Sequence, residues 1–218
     1  MLAKLQQQLN DTYQTDPGYD VRDFLITDQR LAKIISGENK LTNSGETLLI
    51  YEDDEGLSLS LYLEQEILSR LESMGPQRVL RAGRLDDLCK VIEGLSHFNY
   101  VVWCATRDRS VSLLELELQA EVDKFVSTMQ LAIDHGDNEM LNGLHGRIFE
   151  NARFNCDLDE DQLERYKAAT EYAARFCRGL RRQLIRNGND VLPELRRFYR
   201  LPLRDKISHI HTRAWAAS

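Results

Sequence analysis

The sequence predicts an α-rich α+β protein, a bundle of about five or six helices joined to a small N-terminal unit that holds one β-hairpin. Three observations predict it. The runs ETLLIY and LSLSLYL alternate leucine with polar residues on either side of the turn EDDEG, as two strands of a hairpin do. From residue 86 onward, apolar residues recur at helical spacing with only short interruptions. Finally, 218 residues of 42% apolar composition suffice to bury a sizeable core.

The elements follow in order. MLAKLQQQLNDTY reads as a polar helix that Asp16-Pro17-Gly18 ends with a turn. VRDFLI reads as a short strand, DQRLAKIIS (residues 28–36) as a brief helix closed by Gly37, and NKLTNSGE (39–46) as a loop. The hairpin occupies about residues 46–63, and Gly56 supplies the positive φ that a short bulged turn needs. Two strands alone are marginal in water. The face bearing Leu57, Leu59, Leu61 and Leu63 therefore requires a covering helix, a third strand such as VRDFLI, or a second chain. EQEILSRLES returns to helical spacing, and Gly75-Pro76 divides a 1–76 unit from a 77–218 bundle unless the chain is one continuous domain. The bundle helices are expected at 86–103, 112–135, 138–152, 159–187, 190–200 and 203–216.

One of these needs defence. SLLELELQAEV, residues 112–122, alternates like a strand, yet residues 112–121 contain no β-branched or aromatic residue and are rich in strong helix formers. Ser112 and Glu115 stand in capping-box spacing, and Leu118, Val122, Phe125, Met129 and Ile133 continue on one helical face. Helix is the better reading. It sets Glu121 against the apolar face, Glu117 one step outside with Lys124 in reach of both, and Glu115 on the opposite border.

In the preceding helix, Glu93 and His97 lie four apart on one side, near Tyr100. A short connection at 105–111 makes the two helices antiparallel neighbours, so His97 can meet Glu117 or Glu121. A histidine among carboxylates on facing helices serves either as a tuned acid–base group or as a divalent-metal site built from His97, Glu117 and Glu121. The paired Glu-x-x-His signature of di-iron bundles is absent. The plainer reading is a hydrogen-bonded histidine, a solvated Glu117–Lys124 pair, and Glu121 paired with a basic residue of the C-terminal part.

Charge is polarised along the chain. Residues 1–164 hold 15 Lys/Arg against 31 Asp/Glu, whereas residues 165–218 hold 13 against 4. Arg175, Arg178, Arg182 and Arg186 fall on one stripe of the 159–187 helix, opposite Phe176, Cys177, Leu180 and Leu184. Such a stripe can meet a protein partner, a second subunit or a polyanion such as nucleic acid. Glu171 four residues before Arg175, and acidic residues at the start of the same helix, give it a local explanation as well. The overall charge of −7 disfavours non-specific nucleic-acid binding.

Other motifs are weaker. GLSHF lacks the second glycine of a nucleophile elbow. His209 and His211, two apart on a helix, point to different sides and so do not form a metal clip. His135 and His145 flank glycines near helix ends, a capping or surface position. The four cysteines lack CxxC pairing and read as reduced, small buried residues. No apolar run reaches the roughly 20 residues of a membrane span, and the N-terminus lacks a signal peptide's apolar segment, so a cytoplasmic location without membrane contact is expected. Function is therefore expected to be that of a non-catalytic regulatory or protein-interaction module without cofactor, acting through a protein partner or as a homodimer. The alternatives are a small-molecule or metal-dependent enzyme using His97, Glu117, Glu121 and Glu93, and polyanion binding through the arginine stripe.

Overall fold

A computed structural model of the chain describes residues 1–16, 18–37, 45–54, 56–74, 79–80, 84–154, 156, 158–186 and 191–212. Its elements run α1 (Leu2–Tyr13), a 3₁₀ turn (Val21–Phe24), β1 (Leu25–Ile26), α2 (Gln29–Ser36), β2 (Glu46–Asp53), β3 (Gly56–Leu63), α3 (Gln65–Glu72) and α4 (Leu85–Ala105). Then follow α5 (Leu113–Asp134), α6 (Asn138–His145), a π turn (Gly146–Glu150), α7 (Glu160–Arg186), α8 (Leu192–Arg200) and α9 (Leu203–Thr212). The helix-rich α+β class holds. The count of five or six helices does not, since nine α-helices stand among the described residues. The shortfall comes from α1–α3. α1 buries Leu2, Leu5, Leu9 and Tyr13 against α4, α5 and α8, so it belongs to the bundle that the polar look of its sequence hides.

The hairpin forms in the expected register, with Glu46 opposite Leu63 and Asp53 opposite Gly56, whose φ is +134°. VRDFLI becomes a strand only at Leu25–Ile26, which pairs parallel with β3 and completes a three-stranded sheet of order β1-β3-β2. Its first four residues coil because Asp20 caps them, accepting from the Arg22 amide. A helix, α4, covers the leucine face. Leu61 and Leu63 are fully buried there, and the backbone approach is close enough that a Cβ on Gly94 would lie 2.9 Å from Leu61 Cδ1. The expected break at Gly75-Pro76, and with it the 76/77 boundary, lies outside the described residues, as do most of the 39–46 loop and Pro17.

α5 is a helix, as its composition demands. Ser112 caps it by accepting from the Glu115 amide at 3.3 Å. Glu115 does not complete the reciprocal box. Its carboxylate instead accepts from Tyr100 (2.6 Å), from Arg109 and from the Leu203 amide (3.2 Å). α5 is the central rod, packed by α4, α6 and α7, which is why it buries far more than one stripe. The helix expected at 138–152 ends at His145 and continues as a π turn, where Asn151 N donates to Gly146 O at 3.0 Å. Single π turns of this kind concentrate at functional sites. Among the described residues, no helix is long and apolar enough to cross a membrane.

Candidate functional site

The short 106–112 connection makes α4 and α5 antiparallel, and this sets a ladder of polar pairs: Glu93 with Lys124, Ser96 with Asp123, His97 with Glu117, and Tyr100 with Glu115. Positions rise along α4 as they fall along α5. Of the two partners the sequence offered for His97, the fold selects Glu117, whose Oε2 lies 3.6 Å from His97 Nε2. That is beyond a hydrogen bond, and Nε2 is a buried atom with no hydrogen-bond partner. Glu121 faces Lys124 rather than an arginine. Lys124 Nζ donates to Glu121 Oε1 at 2.6 Å and to Glu93 Oε2 at 2.9 Å.

Glu46, the first residue of the hairpin, joins this cluster from the sheet side. Gly94 permits it, since a Cβ there would stand 3.4 Å from Glu46 Oε2 as well as against Leu61. Four carboxylates (Glu46, Glu93, Glu117, Glu121) thus share a half-buried volume with one ammonium and one imidazole.

Their mutual fields set the protonation. Burial, then the charges of Glu93 and Glu117, push the Glu46 carboxyl up to about 8. For His97, burial opposes the charged form, but the carboxylates of Glu117, Glu46 and Glu93 outweigh it and raise the imidazole to about 9. Glu93 is held below the usual range: burial raises it, and Lys124 and His97 more than reverse that. Burial lifts Glu121 despite Lys124, and Lys124 itself, though disfavoured by burial, is held well above its ordinary value by Glu121 and Glu93. At neutral pH the cluster therefore stores protons on Glu46 and His97.

The cluster is not sealed. A cavity of about 740 Å³ opens beside it, with Glu46, Glu93, Glu121, Lys124, Cys89 and Tyr166 on one wall. The opposite wall comes from the π turn and the segment after it, through Arg147, Ile148, Arg153, Phe154 and Leu158. This is within the volume range of small-molecule sites, mixed in the same way between apolar walls and a few polar groups. Burial pushes the Cys89 thiol up to about 12, which disfavours its thiolate at neutral pH. Burial, followed by Glu117, Glu93 and Glu46, raises the Tyr166 phenol, which stays protonated and able to donate.

A second polar centre on α5 is closed. Asp123 accepts from Ser96 Oγ (2.6 Å), Gln119 Nε2 (3.0 Å) and the Tyr13 hydroxyl, while Lys206 Nζ donates to Gln119 Oε1 and Phe198 O, both at 2.8 Å. Burial brings Lys206 down to about 7 and Asp123 up to about 6. Neither lines the cavity, and their partners are protein groups, so this network fixes how α1, α4, α5, α8 and α9 meet.

The other sequence candidates lie elsewhere. Arg175, Arg178, Arg182 and Arg186 are exposed on α7, and Arg175 pairs with Glu171, as the four-residue spacing implied. His209 is buried against Glu194 at 2.5 Å and His211 is exposed, so the two do not act together. His145 is no capping or surface residue: buried between Phe125 and Phe149, its Nε2 lies 3.0 Å from Ala174 O. Cys104 and Cys177 are buried, Cys89 half-buried and Cys156 exposed.

Sequence reasoning missed Glu46, Tyr166 and the Arg147–Leu158 wall. Glu46 carried a signal, because hairpin alternation puts it on the same face as Leu48 and the buried Leu61. Comparison with protein-family models, with curated proteins and with solved structures finds no match for this chain, so the chemistry of this cluster stands as the guide to function.

Proposed function

We propose that the chain binds a polar small molecule in the α4–α5 cavity and carries out acid–base chemistry on it. The observation that supports this reading is that Glu93, Glu121 and Lys124 are at once members of the buried ion cluster and part of the cavity wall. The Asp123 centre, by contrast, is closed by protein groups. In the α4–α5 cavity a ligand reaches Glu46 and Glu121, whose carboxyl groups burial raises toward neutrality, the property that general acids and bases need. Glu46, which lines the cavity, holds a proton to donate, and Glu93 is an ionised acceptor.

The test is a fragment screen on the full chain by amide NMR. Binding fragments are expected to shift resonances of Cys89, Phe154 and Tyr166, and Ala152→Trp, which fills the cavity, should abolish those shifts while the rest of the spectrum is kept. Fragments that map elsewhere, or that still bind Ala152→Trp, would refute the proposal.

A protein-contact role has one observation in its favour. α2 exposes Leu31 (46%), Ile34 (76%) and Ile35 (48%), and the hairpin tip exposes Ile50 and Leu57 on the face whose other end is fully buried. Apolar residues so exposed mark contact surfaces. If this surface self-associates, sedimentation equilibrium across a concentration series will show a dimer that Ile34→Glu dissociates; a wild-type monomer at every concentration would refute self-association.

A further inference from the structure

We infer that Glu93, His97 and Glu117 form a site for one divalent first-row transition-metal ion, next to the cavity wall that Glu93 helps to form. The inference deepens the reading of this cluster as a ligand site.

Each of these residues offers one ligand atom, and the three atoms lie within 4.8 Å of one another. Bonds of about 2.0–2.2 Å to nitrogen and oxygen place two donors of one metal roughly 3 to 4 Å apart. The His97–Glu117 separation of 3.6 Å already meets that spacing, and a pair at the 4.8 Å limit needs to close by about 1 Å.

The stronger argument is what these atoms lack. His97 is only 8% exposed and its Nε2 has no hydrogen-bond partner. Glu117, 7% exposed, is the carboxylate that faces Nε2, from 3.6 Å. Buried polar atoms are nearly always satisfied, and leaving one unsatisfied costs about 1–3 kcal/mol. An unsatisfied imidazole nitrogen facing a buried carboxylate at 3.6 Å is what a cation between them resolves.

The surroundings fit the same ion. Lys124 Nζ donates to Glu93 Oε2 at 2.9 Å, an outer contact of the kind that orients a metal-binding carboxylate. The donor set fixes the class of metal. One imidazole and two carboxylates suit Mn²⁺, Fe²⁺ or Zn²⁺, not the all-oxygen preference of Ca²⁺ or the thiolate preference of Cu⁺. Three protein donors leave positions open, as catalytic sites do, and Glu93 is the donor that also lines the cavity. Glu121, which the sequence offered as a ligand, belongs to Lys124 instead.

The test is calorimetric titration of chelator-stripped full-length protein with MnCl₂ and with ZnCl₂, with the Mn²⁺ signal followed by electron paramagnetic resonance. One site per chain is expected. His97→Gln and Glu117→Gln should each weaken it by more than the roughly 10- to 100-fold that loss of an outer-shell contact costs. His209→Gln, which changes a buried histidine of another ion pair, should leave it intact, and circular dichroism will report whether each variant folds. Absence of saturable binding to the wild type would overturn the inference, as would binding that survives in both folded His97→Gln and Glu117→Gln. Because metal alone is the probe, a negative result here leaves the fragment screen free to succeed, and the converse.

Discussion

Gly94 and Gly143 are both helical glycines, and the structure gives their alanine variants opposite signs. Replacing a glycine inside a helix with alanine gains about 1 kcal/mol from backbone entropy alone. At Gly143 the new methyl would meet only Arg147 Nε at 3.4 Å, the far end of a flexible, partly exposed side chain. Nearly the full gain should appear, about 0.5–1 kcal/mol. At Gly94 the methyl would lie 2.9 Å from Leu61 Cδ1 and 3.4 Å from Leu63 Cδ2, and both leucines are fully buried. Overpacking of this kind costs about 1–3 kcal/mol, so the net change should be a loss near 1 kcal/mol. Urea denaturation of both variants, with slopes compared to the wild type, measures this directly. Gly94→Ala should also reduce fragment affinity, because displacing β3 moves Glu46, whereas Gly143→Ala should not. If Gly94→Ala stabilised the protein as much as Gly143→Ala, the close seating of the hairpin on α4 would be wrong.

Three further outcomes follow from the packing and the buried charges. Lys124→Met removes the cation shared by Glu93 and Glu121, whose side chains are 16% and 13% exposed, and should cost about 3–5 kcal/mol at pH 7. The loss should shrink at pH 4.5, where Glu121 takes up a proton, and a loss unchanged by pH would contradict the pairing. Asp123 is protonated in the fold up to about pH 6 but ionises at 3.8 when unfolded, so its contribution is present below 3.8, falls as pH rises through 6, and amounts to about 3 kcal/mol. The stability of Asp123→Asn relative to wild type, from denaturation at pH 3.5 and pH 7, should therefore improve by about that amount, and a flat difference would refute the burial argument. Phe176→Ala should cost about 3–5 kcal/mol, since that ring is fully buried and stacks on Phe198 with centroids 3.9 Å apart; a loss under 1 kcal/mol in thermal or urea melts would deny that packing.

What the sequence revealed depended on whether the information was local. The hairpin and the six helices from residue 85 on were legible, though not all their ends, because periodicity and turn residues act within a few positions. Thus SLLELELQAEV declared itself through composition and Ser112 rather than through its alternation. The pairing of His97 with the 117–121 stretch was within reach, since a short connection between two long helices forces antiparallel register. The choice between Glu117 and Glu121 was not. It depends on Lys124 claiming Glu121, and on α5 being surrounded by neighbours so that Glu115 and Glu117 are buried where a one-stripe helix would expose them. The cavity was also beyond reach, because its second wall comes from a π turn and an irregular segment that carry no periodic signal. α1 shows the same limit from the other side: its four buried apolar residues sit among glutamines that make it read as polar.

Glu93, His97 and Glu117 are read as metal ligands rather than as members of a structural ion network. Anomalous diffraction from crystals grown with Mn²⁺ tests this most directly. The account predicts one strong peak about 2.2 Å from His97 Nε2 and from carboxylate oxygens of Glu93 and Glu117. A map empty at that position, with His97 hydrogen-bonded directly to Glu117, would contradict it.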